Sequence, residues 1–189
     1  MTRWKPNAKE RLVRAALSLF RSQGFAQTTV AEIAERAGLT ERTFFRYFAD
    51  KREVLFAGAE EFEQHFITAL DAVPRQSSAI DAAAASVEGV AIFLEERRDF
   101  ARKRSAVIAE NAELRERERD KMASLASALA AALERRGTDR AAAVLAAEMG
   151  VTVFRLAFER WIDDKSGHNL AQFVKESFAE LKSVTAGRC

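Results

Sequence analysis

The sequence has little cysteine, proline or glycine. Its single cysteine, Cys189, is the last of 189 residues, so no internal disulfide can form and no thiolate cluster can hold a metal. With only 2 prolines and 8 glycines, few positions oblige a helix to break. The longest uncharged stretch, residues 122–133, is too short to cross a bilayer, and no apolar export segment is evident. We therefore expect a cytoplasmic protein that does not insert into a membrane.

Histidine is also scarce, which bears on catalysis. Neither His65 nor His168 lies in a Glu-x-x-His or His-Glu-x-x-His arrangement, and the residue three positions before His65 is Phe62. No glycine-rich loop that could hold a phosphate is present. We therefore expect no catalytic residues, no metal ligands and no cofactor. A helical enzyme is the alternative from another functional class.

The apolar pattern is helical nearly throughout. Apolar residues recur at spacings of three and four, and no alternating pattern typical of a strand is present. Asn7, Thr29 and Asp50 each precede a glutamate by three positions, which marks the start of a helix. The sequence predicts an all-α fold of about nine helices. The predicted ranges are 8–23, 30–37, a very short helix between Gly38 and Asp50, then 51–72, 78–98, 100–110, 112–136, 139–164 and 168–184.

Charge is distributed unevenly along the chain. The net charge is +2, yet residues 1–52 carry 11 Lys/Arg against 5 Asp/Glu, whereas residues 53–189 carry 19 against 23. A basic first quarter on a mildly acidic body is typical of nucleic-acid binding at one end, although a solvated helix face can also be basic. At the N-terminus, Arg3 and Lys5 form either a minor-groove arm or part of a disordered tail.

Residues 30 to 48 have the spacing of a helix-turn-helix. Gly38 follows the predicted helix 30–37, where a left-handed residue must end it. Leu39 is then expected to pack between the two helices. Thr40 is the predicted N-cap of a second, short helix, whose first turns would enter a major groove.

The second helix of this motif is crowded with aromatic residues. At about 100° per residue, Phe44 and Phe48 share one face and are predicted to be core. Arg42 and Arg46 lie on roughly the opposite face, where they would contact either a guanine edge or a phosphate. A solvated surface is the alternative role for the two arginines. The flanks of that face carry two further aromatic residues, Phe45 and Tyr47.

Residues 28–55, TTVAEIAERAGLTERTFFRYFADKREVL, resemble the DNA-binding region of the TetR/AcrR family of one-component transcriptional regulators. The resemblance is specific over about residues 8–56. It implies an N-terminal three-helix helix-turn-helix domain, followed by a larger helical domain for ligand binding and dimerisation. We expect the first domain to cover residues 1–52 and the second to cover residues 53–189.

Three departures from the family pattern concern the DNA contacts. Arg42 stands where most members have glycine, Phe45 where tyrosine is common and Tyr47 where histidine is frequent. Because phenylalanine cannot donate to a phosphate, Phe45 is expected to contact a thymine methyl or a sugar edge, whereas the Tyr47 hydroxyl keeps a phosphate role. The resemblance implies that Lys51 and Thr29 also contact phosphates. The full predicted DNA-binding set is Thr29, Thr40, Glu41, Arg42, Thr43, Phe45, Arg46, Tyr47 and Lys51.

Two segments near the C-terminus, 139–164 and 168–184, carry apolar residues on more than one face. The resemblance implies that they pair with a second copy about a two-fold axis and form a four-helix bundle, which makes a homodimer. A purely intramolecular core is the alternative. One helix-turn-helix offers too little surface for tight specific binding, so a dimer also fits the DNA-binding prediction.

The second predicted domain has many large apolar side chains and few polar anchors, which indicates a hydrophobic or amphipathic ligand. Residues 97–122 resemble regulators that bind acyl-CoA-like molecules, in which case Arg97, Arg102 or Arg104 would meet the charged end. Each apolar residue has core packing as its alternative role. The predicted ligand-binding set is Phe93, Phe100, Arg104, Val107, Ile108, Met122, Phe154 and Phe158.

The sequence therefore predicts a ligand-responsive repressor that binds a palindromic operator as a dimer. An inducer that binds better to a splayed dimer would shift the population away from the DNA-bound form. The helix predicted at 51–72 would act as the lever, because it joins the two predicted domains. An architectural or ligand-independent DNA-binding protein is the alternative.

Overall fold

Nine α-helices and one 3-10 helix make up the computed structural model, which describes residues 7–187. No strand occurs in that range, so the all-α prediction is confirmed. The α-helices are α1 (Ala8–Gln23), α2 (Val30–Arg36), α3 (Glu41–Tyr47), α4 (Ala59–Asp71), α5 (Ala79–Glu95), α6 (Arg98–Ala109), α7 (Ala112–Arg135), α8 (Arg140–Asp163) and α9 (Leu170–Thr185), and the 3-10 helix is Glu53–Phe56. The predicted N-terminal arm with Arg3 and Lys5 lies outside the described residues.

Local capping explains where the first two helices begin. The side chain of Asn7 accepts a hydrogen bond from the Glu10 N–H at 2.9 Å, which starts α1. At the start of α2 the bonds are reciprocal: Thr29 Oγ1 accepts from the Glu32 N–H at 3.2 Å, and the Glu32 carboxylate accepts from the Thr29 N–H at 2.7 Å. Both starts agree with the predicted ones, because such caps depend on residues only three positions apart.

The single long helix predicted over 51–72 is wrong. The structure has the 3-10 helix Glu53–Phe56, then a turn at Ala57 and Gly58, and only then α4, Ala59–Asp71. The start signal at Asp50 is nevertheless genuine, because its carboxylate accepts from the backbone N–H groups of Arg52 at 2.8 Å and Glu53 at 3.3 Å.

Tertiary packing accounts for this break. Val54, Leu55 and Phe56 are consecutive and all buried. An α-helix turns about 100° per residue, so three consecutive side chains point over about 200° and cannot share one narrow face. A 3-10 helix has three residues per turn, so the three side chains point to three different sides and are buried only because surrounding segments cover each side. Gly58 weakens continuation of the helix by about 1 kcal/mol relative to alanine.

The chain divides into two compact units. Unit 1 comprises the described residues up to Ala59 together with Lys103–Glu118, and unit 2 comprises Glu60–Arg102 and the described residues from Arg119 onward. Unit 1 therefore contains α1, α2, α3 and the 3-10 helix, joined by the end of α6 and the start of α7. Unit 2 contains α5, α8, α9 and most of α4 and α7. The domain boundary expected after residue 52 stays a prediction.

The core of unit 1 forms where the short helices cross α1. Leu12 of α1, Ile33 of α2 and Phe44 of α3 are fully buried. The ring of Phe20 packs edge-on against that of Phe25 at a centroid distance of 5.1 Å, which ties the segment after α1 to the same core. Burying such side chains stabilises a fold by about 1.5 to 3 kcal/mol each.

The core of unit 2 is built on a continuous aromatic cluster. Phe66 of α4 and Phe154 of α8 lie 5.6 Å apart between ring centroids, and Phe62 lies 5.4 Å from Phe154. Along α8 the contacts continue from Phe154 to Phe158 at 5.8 Å and from Phe158 to Trp161 at 5.7 Å. Trp161 is fully buried. Such ring pairs contribute about 0.5 to 1.5 kcal/mol each beyond the area they bury.

Helix α8 is, within residues 7–187, the one helix whose length and composition would allow it to cross a membrane. The central helix of a packed core meets the same criteria, and α8 is such a helix, since Ala147, Val153, Phe154 and Trp161 are buried in unit 2. Packing in the core of unit 2 therefore explains the apolar composition of α8. The absence of membrane insertion stays a prediction.

Candidate nucleic-acid interface

The turn between α2 and α3 has the geometry that the spacing predicts. Gly38 adopts a φ of 64°, in the left-handed region that favours glycine. The N–H of Leu39 then donates to the Ala34 carbonyl at 2.8 Å. Thr40 is the N-cap of α3, because its Oγ1 accepts from the Thr43 N–H at 3.2 Å. The predicted helix-turn-helix is confirmed.

Arg11 of α1 braces this turn, a role that sequence reasoning missed. Its Nη2 donates to the carbonyl oxygen of Ala37 and, at 3.2 Å, to that of Gly38. A Cβ at position 38 would lie 2.8 Å from the same nitrogen, so glycine also leaves room for the guanidinium. No local signal marks this contact, because Arg11 is 26 and 27 residues away from its partners.

Helix α3 separates its aromatic residues by face. Phe44 is 0% exposed, and its ring lies 5.4 Å from that of the buried Phe48. Phe45 is 55% exposed and Tyr47 is 40% exposed. The prediction that Phe44 and Phe48 are core is confirmed. Phe45 and Tyr47 therefore remain accessible on the two flanks of the exposed side of α3.

Arg46 is held by its neighbour Tyr47. Its Nη2 donates to the Tyr47 hydroxyl at 3.2 Å, and its guanidinium carbon lies 4.9 Å from the centre of the tyrosine ring. Since a phenol can accept one hydrogen bond and donate another, the Tyr47 proton stays available to an acceptor outside the protein. Arg42 is also exposed on α3. Two guanidinium groups therefore lie on the exposed part of this helix, near two exposed rings.

Thr29 and Glu32 form a capping box at the N-terminus of α2. The Thr29 hydroxyl donates to the Glu32 carboxylate at 2.9 Å while accepting from the Glu32 backbone N–H. The bonds from Thr29, the backbone bond above all, hold the pKa of the Glu32 carboxyl below its ordinary value. A phosphate at this helix end would therefore meet a hydroxyl that already serves the cap.

Lys51 lies in an environment that differs from the predicted phosphate contact. Its Nζ donates to the carbonyl oxygens of Phe25 at 2.8 Å, Thr28 at 2.9 Å and Ala26 at 3.2 Å. It also lies 4.5 Å from the centre of the Phe25 ring. An ammonium group has three N–H donors, and all three are used inside unit 1. The structure therefore shows Lys51 bound to the α1–α2 turn, and its expected contact with a phosphate stays a prediction.

Comparison with known proteins agrees with this geometry. The family model described as "Bacterial regulatory proteins, tetR family" matches residues 12–57, and the model described as "MftR C-terminal domain" matches residues 77–186. The chain belongs to the TetR family. It is a DNA-binding regulator of transcription, and members of this family are not enzymes.

Two relatives show how the similarity is distributed. MftR of Mycobacterium tuberculosis is 27% identical over 154 residues, which cover 80% of this chain and 78% of MftR. The transcriptional regulator TcmR of Streptomyces glaucescens is 37% identical over 82 residues, which cover 43% of this chain. The matched stretch spans only 36% of the length of TcmR.

Solved structures of TetR-family regulators share the fold. FadR from Bacillus subtilis, in complex with stearoyl-CoA, superposes with a TM-score of 0.62 at 19% identity, covering 91% of this chain and 96% of FadR. SmeT, the repressor of a Stenotrophomonas maltophilia efflux pump, superposes in its triclosan complex with a TM-score of 0.62 at 22% identity, covering 93% of this chain and 91% of SmeT. At these identities the similarity shows the fold alone.

The ligand-binding set predicted for this TetR-family chain is divided between the two units. Phe154, Phe158 and Met122 belong to the core cluster of unit 2, where Met122 and Phe158 are only partly buried. Val107 and Ile108 are buried in unit 1. The structure therefore brings the first three together and assigns the other two to a different core.

Phe93 of this set contacts both the ring of His65 and the guanidinium of Arg97 in unit 2. The rings of His65 and Phe93 have centroids 3.8 Å apart, and the guanidinium carbon of Arg97 lies 3.9 Å from the centre of the Phe93 ring. His65 and Phe93 are half-buried, and Arg97 is exposed. Phe100, the remaining aromatic of the set, is half-buried on α6. Sequence reasoning did not predict the role of His65, because its partner is on another helix.

The three arginines considered for a charged ligand end have different surroundings. Arg102 Nε donates to the Ile162 carbonyl at 2.7 Å, at the C-terminal end of α8. Arg104 Nε donates to the Leu55 carbonyl at 2.7 Å, and its Nη1 meets the Glu118 carboxylate at 2.8 Å. Arg102 and Arg104 thus bind distant segments of the chain, whereas Arg97 is exposed and its Nη1 donates to the Phe93 carbonyl, four residues earlier, at 3.0 Å.

Proposed function

We propose that this TetR-family regulator is a repressor that binds a palindromic operator as a homodimer and leaves it when a hydrophobic or amphipathic small molecule binds. The observation that carries the DNA-binding surface is α3. Its buried side, Phe44 and Phe48, fastens the helix to unit 1, while Phe45, Arg46 and Tyr47 face outward. Residues 1–52 are the DNA-binding domain in this proposal, and residues 53–189 form the ligand-binding and dimerisation domain. The protein works in the cytoplasm, where its operator is.

Arg46 is the residue that we assign to a base. Its guanidinium is stacked on and bonded to Tyr47, so less side-chain freedom is lost when it makes a bidentate contact with guanine. The Tyr47 hydroxyl, which accepts from Arg46, donates its proton to a phosphate. Phe45 contacts a thymine methyl or a sugar edge, and Arg42 adds a second cation. The remaining predicted contacts are those of the first turn of α3, namely Thr40, Glu41 and Thr43, and of Thr29.

Selection of bound sequences from random DNA tests this assignment. We expect an inverted repeat whose half-sites are separated by about 34 to 36 Å, or a multiple, on one face of the duplex. Arg46→Ala should cost about 1 to 3 kcal/mol and relax the preference at one operator position. Arg75→Ala, in an exposed loop of unit 2, is the control and should change neither quantity. Uniform weakening by Arg46→Ala across all sequences would instead assign Arg46 to a phosphate.

The dimer is supported by exposed apolar side chains on the predicted segments. Leu145 is 64% exposed and Leu156 is 46% exposed, both on α8. They are eleven residues apart, which is close to three helical turns, so they lie on the same side of the helix. Val144 of α8 and Val184 of α9 are exposed as well. Such a patch on neighbouring helices fits a two-fold interface.

Sedimentation or light scattering tests the dimer. Leu145→Glu and Leu156→Glu should each convert it to monomers and abolish operator binding, because a carboxylate would be buried against its symmetry mate. The matched control is Ile92→Glu on α5, where the native side chain is 74% exposed outside the proposed interface. A monomeric wild-type protein, or a dimer that tolerates both α8 variants, would contradict the proposal.

The ligand that we propose is an acyl-CoA-like amphiphile. The partly buried Phe62, Met122 and Phe158 of unit 2 adjoin its aromatic cluster and suit an apolar chain. The exposed Arg97, stacked on Phe93, suits an anionic end. The fold relatives FadR and SmeT bind stearoyl-CoA, which joins an apolar acyl chain to an anionic CoA group, and triclosan, which is largely apolar. Arg97 is preferred because it is exposed and its Nη1 donates to a carbonyl oxygen only four residues earlier, that of Phe93 at 3.0 Å, whereas Arg102 and Arg104 bind distant segments of the chain.

Operator release, followed by fluorescence anisotropy, tests the ligand. Stearoyl-CoA and lauroyl-CoA should release the operator, whereas CoA without an acyl chain should not. Phe158→Ala should weaken the response to every acyl chain, and Arg97→Ala should weaken the response to acyl-CoA more than that to the free fatty acid. Operator binding that is unchanged by the whole panel would refute an acyl-CoA-like inducer while leaving the DNA-binding assignment intact.

A further inference from the structure

Three carbonyl oxygens of the turn between α1 and α2 converge on one cation, Lys51. The distances from Nζ to the oxygens of Phe25, Ala26 and Thr28 are 2.8, 3.2 and 2.9 Å. The Phe25 ring completes the site from one side, with its centre 4.5 Å from the nitrogen. Hydrogen bonds in which the donor is charged are roughly twice as strong as neutral ones. Lys51 therefore holds the turn more firmly than a single neutral contact would.

The turn has few other internal bonds. Thr28 is buried and its Oγ1 donates to the Gly24 carbonyl at 2.8 Å, while its N–H donates to the Phe25 carbonyl at a longer 3.3 Å. The chain turns at Gly24, whose φ of 88° requires glycine. Three carbonyl dipoles that point toward one place repel one another unless a donor lies between them. The ammonium of Lys51 is that donor.

This contact joins the two ends of the DNA-binding motif. The turn runs directly into Thr29, the N-cap of α2. Lys51 follows α3, which ends at Tyr47 and is closed by the bond from the Phe48 N–H to the Phe44 carbonyl at 3.0 Å. A bond from Lys51 to the turn therefore fixes the start of α2 relative to the end of α3. The helices themselves are only seven residues long, so they depend on such tertiary contacts for their position.

We propose that Lys51 is a positioning residue of the DNA-binding surface: it neutralises the three carbonyl oxygens of the α1–α2 turn and so sets the placement of α2 against α3, rather than contacting a phosphate. The inference rests on the DNA-binding function of unit 1. A phosphate ligand would need N–H donors of Lys51, and all three of them already donate to carbonyl oxygens of the turn.

Amide hydrogen exchange without DNA is the first test. Lys51→Met keeps the aliphatic stem and removes the donors, so exchange over residues 24–29 should quicken about tenfold or more, since local opening becomes easier. Amides in the middle of α1 should keep their protection. Arg52→Met is the matched control, because Arg52 pairs with Asp50 at 2.6 Å and makes no bond to the turn. Unchanged exchange over the turn in Lys51→Met would overturn the proposal, whatever happens to DNA binding.

Two further variants separate charge from geometry. Lys51→Arg retains the positive charge, but a planar guanidinium cannot direct its N–H groups at three converging oxygens as an ammonium does. We expect the turn to exchange faster in Lys51→Arg as well, whereas a phosphate contact would survive this change. In Lys51→Ala, added n-propylammonium should restore protection of the turn. Tetramethylammonium, which has no N–H, should not. Failure of n-propylammonium to restore protection would count against the carbonyl site even if the variant is unstable.

The salt dependence of operator binding distinguishes the two roles directly. We expect Lys51→Met to weaken binding about tenfold with an unchanged slope of log K against log salt. A phosphate contact predicts instead a slope that is smaller by about one unit. A reduced slope together with unaltered exchange in the turn would assign Lys51 to a phosphate and overturn the inference. The exchange experiments keep their meaning if no operator is found, so failure of the DNA-binding proposal is a separate outcome.

Discussion

Gly89 of α5 faces Ala69 of α4 at a crossing with no room for a side chain: a Cβ at position 89 would lie 2.5 Å from the Ala69 Cβ. Cβ atoms in proteins do not approach each other so closely. A Cβ is fixed to the backbone, so no side-chain rotation could separate the methyl group of an alanine at position 89 from that of Ala69. Substitution at this position must therefore move the backbone of one helix. Glycine is placed inside α5 by packing, against its helix propensity.

Gly89→Ala should lower the free energy of unfolding by about 1 to 3 kcal/mol, because overpacking at the crossing outweighs the gain in helix propensity. Urea denaturation followed by circular dichroism measures this. Gly58→Ala is the control, since a Cβ there meets nothing within 4 Å. That variant should be neutral or stabilised by up to about 1 kcal/mol. Equal effects of the two substitutions would show that the α4–α5 crossing is not tight.

Phe44 and Phe45 are adjacent, but we expect substitution of Phe44 to lower stability and substitution of Phe45 to weaken operator binding. Phe44→Ala should cost about 3 to 5 kcal/mol of stability, because it leaves a cavity in the core of unit 1. Phe45→Ala removes an exposed ring and should change stability by less than about 0.5 kcal/mol, while weakening operator binding. Thermal unfolding and operator titration, both done on each variant, check the pair. A stable Phe45→Ala protein with unaltered DNA binding would remove Phe45 from the DNA-binding surface.

We predict that Arg104 stabilises unit 1. Its bonds to the Leu55 carbonyl and the Glu118 carboxylate connect the segment Lys103–Glu118 to the 3-10 helix within unit 1. Arg104→Met should cost about 1 to 2 kcal/mol, since a charged hydrogen bond to a backbone oxygen is lost and the ion pair is partly exposed. Arg119→Met, at an exposed position of α7, is the control. An acyl-CoA response that is lost without any change in stability would return Arg104 to the ligand set.

Asp164 is predicted to make stability depend on pH in the acid range. The Ser166 hydroxyl at 2.5 Å, with the N–H groups of Gly167 and His168, holds the pKa of the Asp164 carboxyl far below its usual range. A lowered folded-state pKa stabilises the protein above the unfolded value, about 3.9, and this stabilisation disappears as pH falls toward the folded value. Asp164→Asn should therefore lower stability at neutral pH and flatten the loss below about pH 4.

The control for Asp164→Asn is Asp163→Asn, one residue earlier and exposed. Its unfolding free energy should follow that of the wild type from neutral pH to about pH 2.5, a window that covers the usual carboxyl range. The two asparagine variants should thus diverge from each other at neutral pH and converge in acid. Parallel curves at every pH would mean that the bonds to Asp164 do not favour its charged form.

Sequence patterns predicted well wherever the cause lies within a few residues. The caps of α1 and α2, the turn at Gly38 and the inward faces of Phe44 and Phe48 all depend on neighbours one helical turn away. The helix 51–72 failed for the complementary reason. Asp50 correctly signalled a start, but the burial of three consecutive residues, Val54 to Phe56, depends on what lies around them, which no local pattern contains.

Sequence patterns predicted which residues belong to the candidate site better than they predicted which groups those residues contact. Sequence patterns placed Arg46 and Tyr47 on one helix, but only the tertiary structure shows that one is stacked on the other. Lys51 was expected at a phosphate, and its carbonyl partners are 23 to 26 residues away in the sequence. Arg104 was grouped with Val107 for a ligand, whereas its carbonyl partner is Leu55, 49 residues away.

The amino-acid sequence by itself determined the helical class, the positions of most helices, the helix-turn-helix and the family, because helix periodicity, capping and turn chemistry act between near neighbours. Tertiary structure alone decided where the chain breaks after Phe56 and which carbonyl oxygens Lys51 and Arg104 bind. Those outcomes depend on donors and acceptors that meet only after distant segments have packed. A buried or half-buried cationic side chain needs hydrogen-bond acceptors, and the folded chain determines which oxygens lie within its reach.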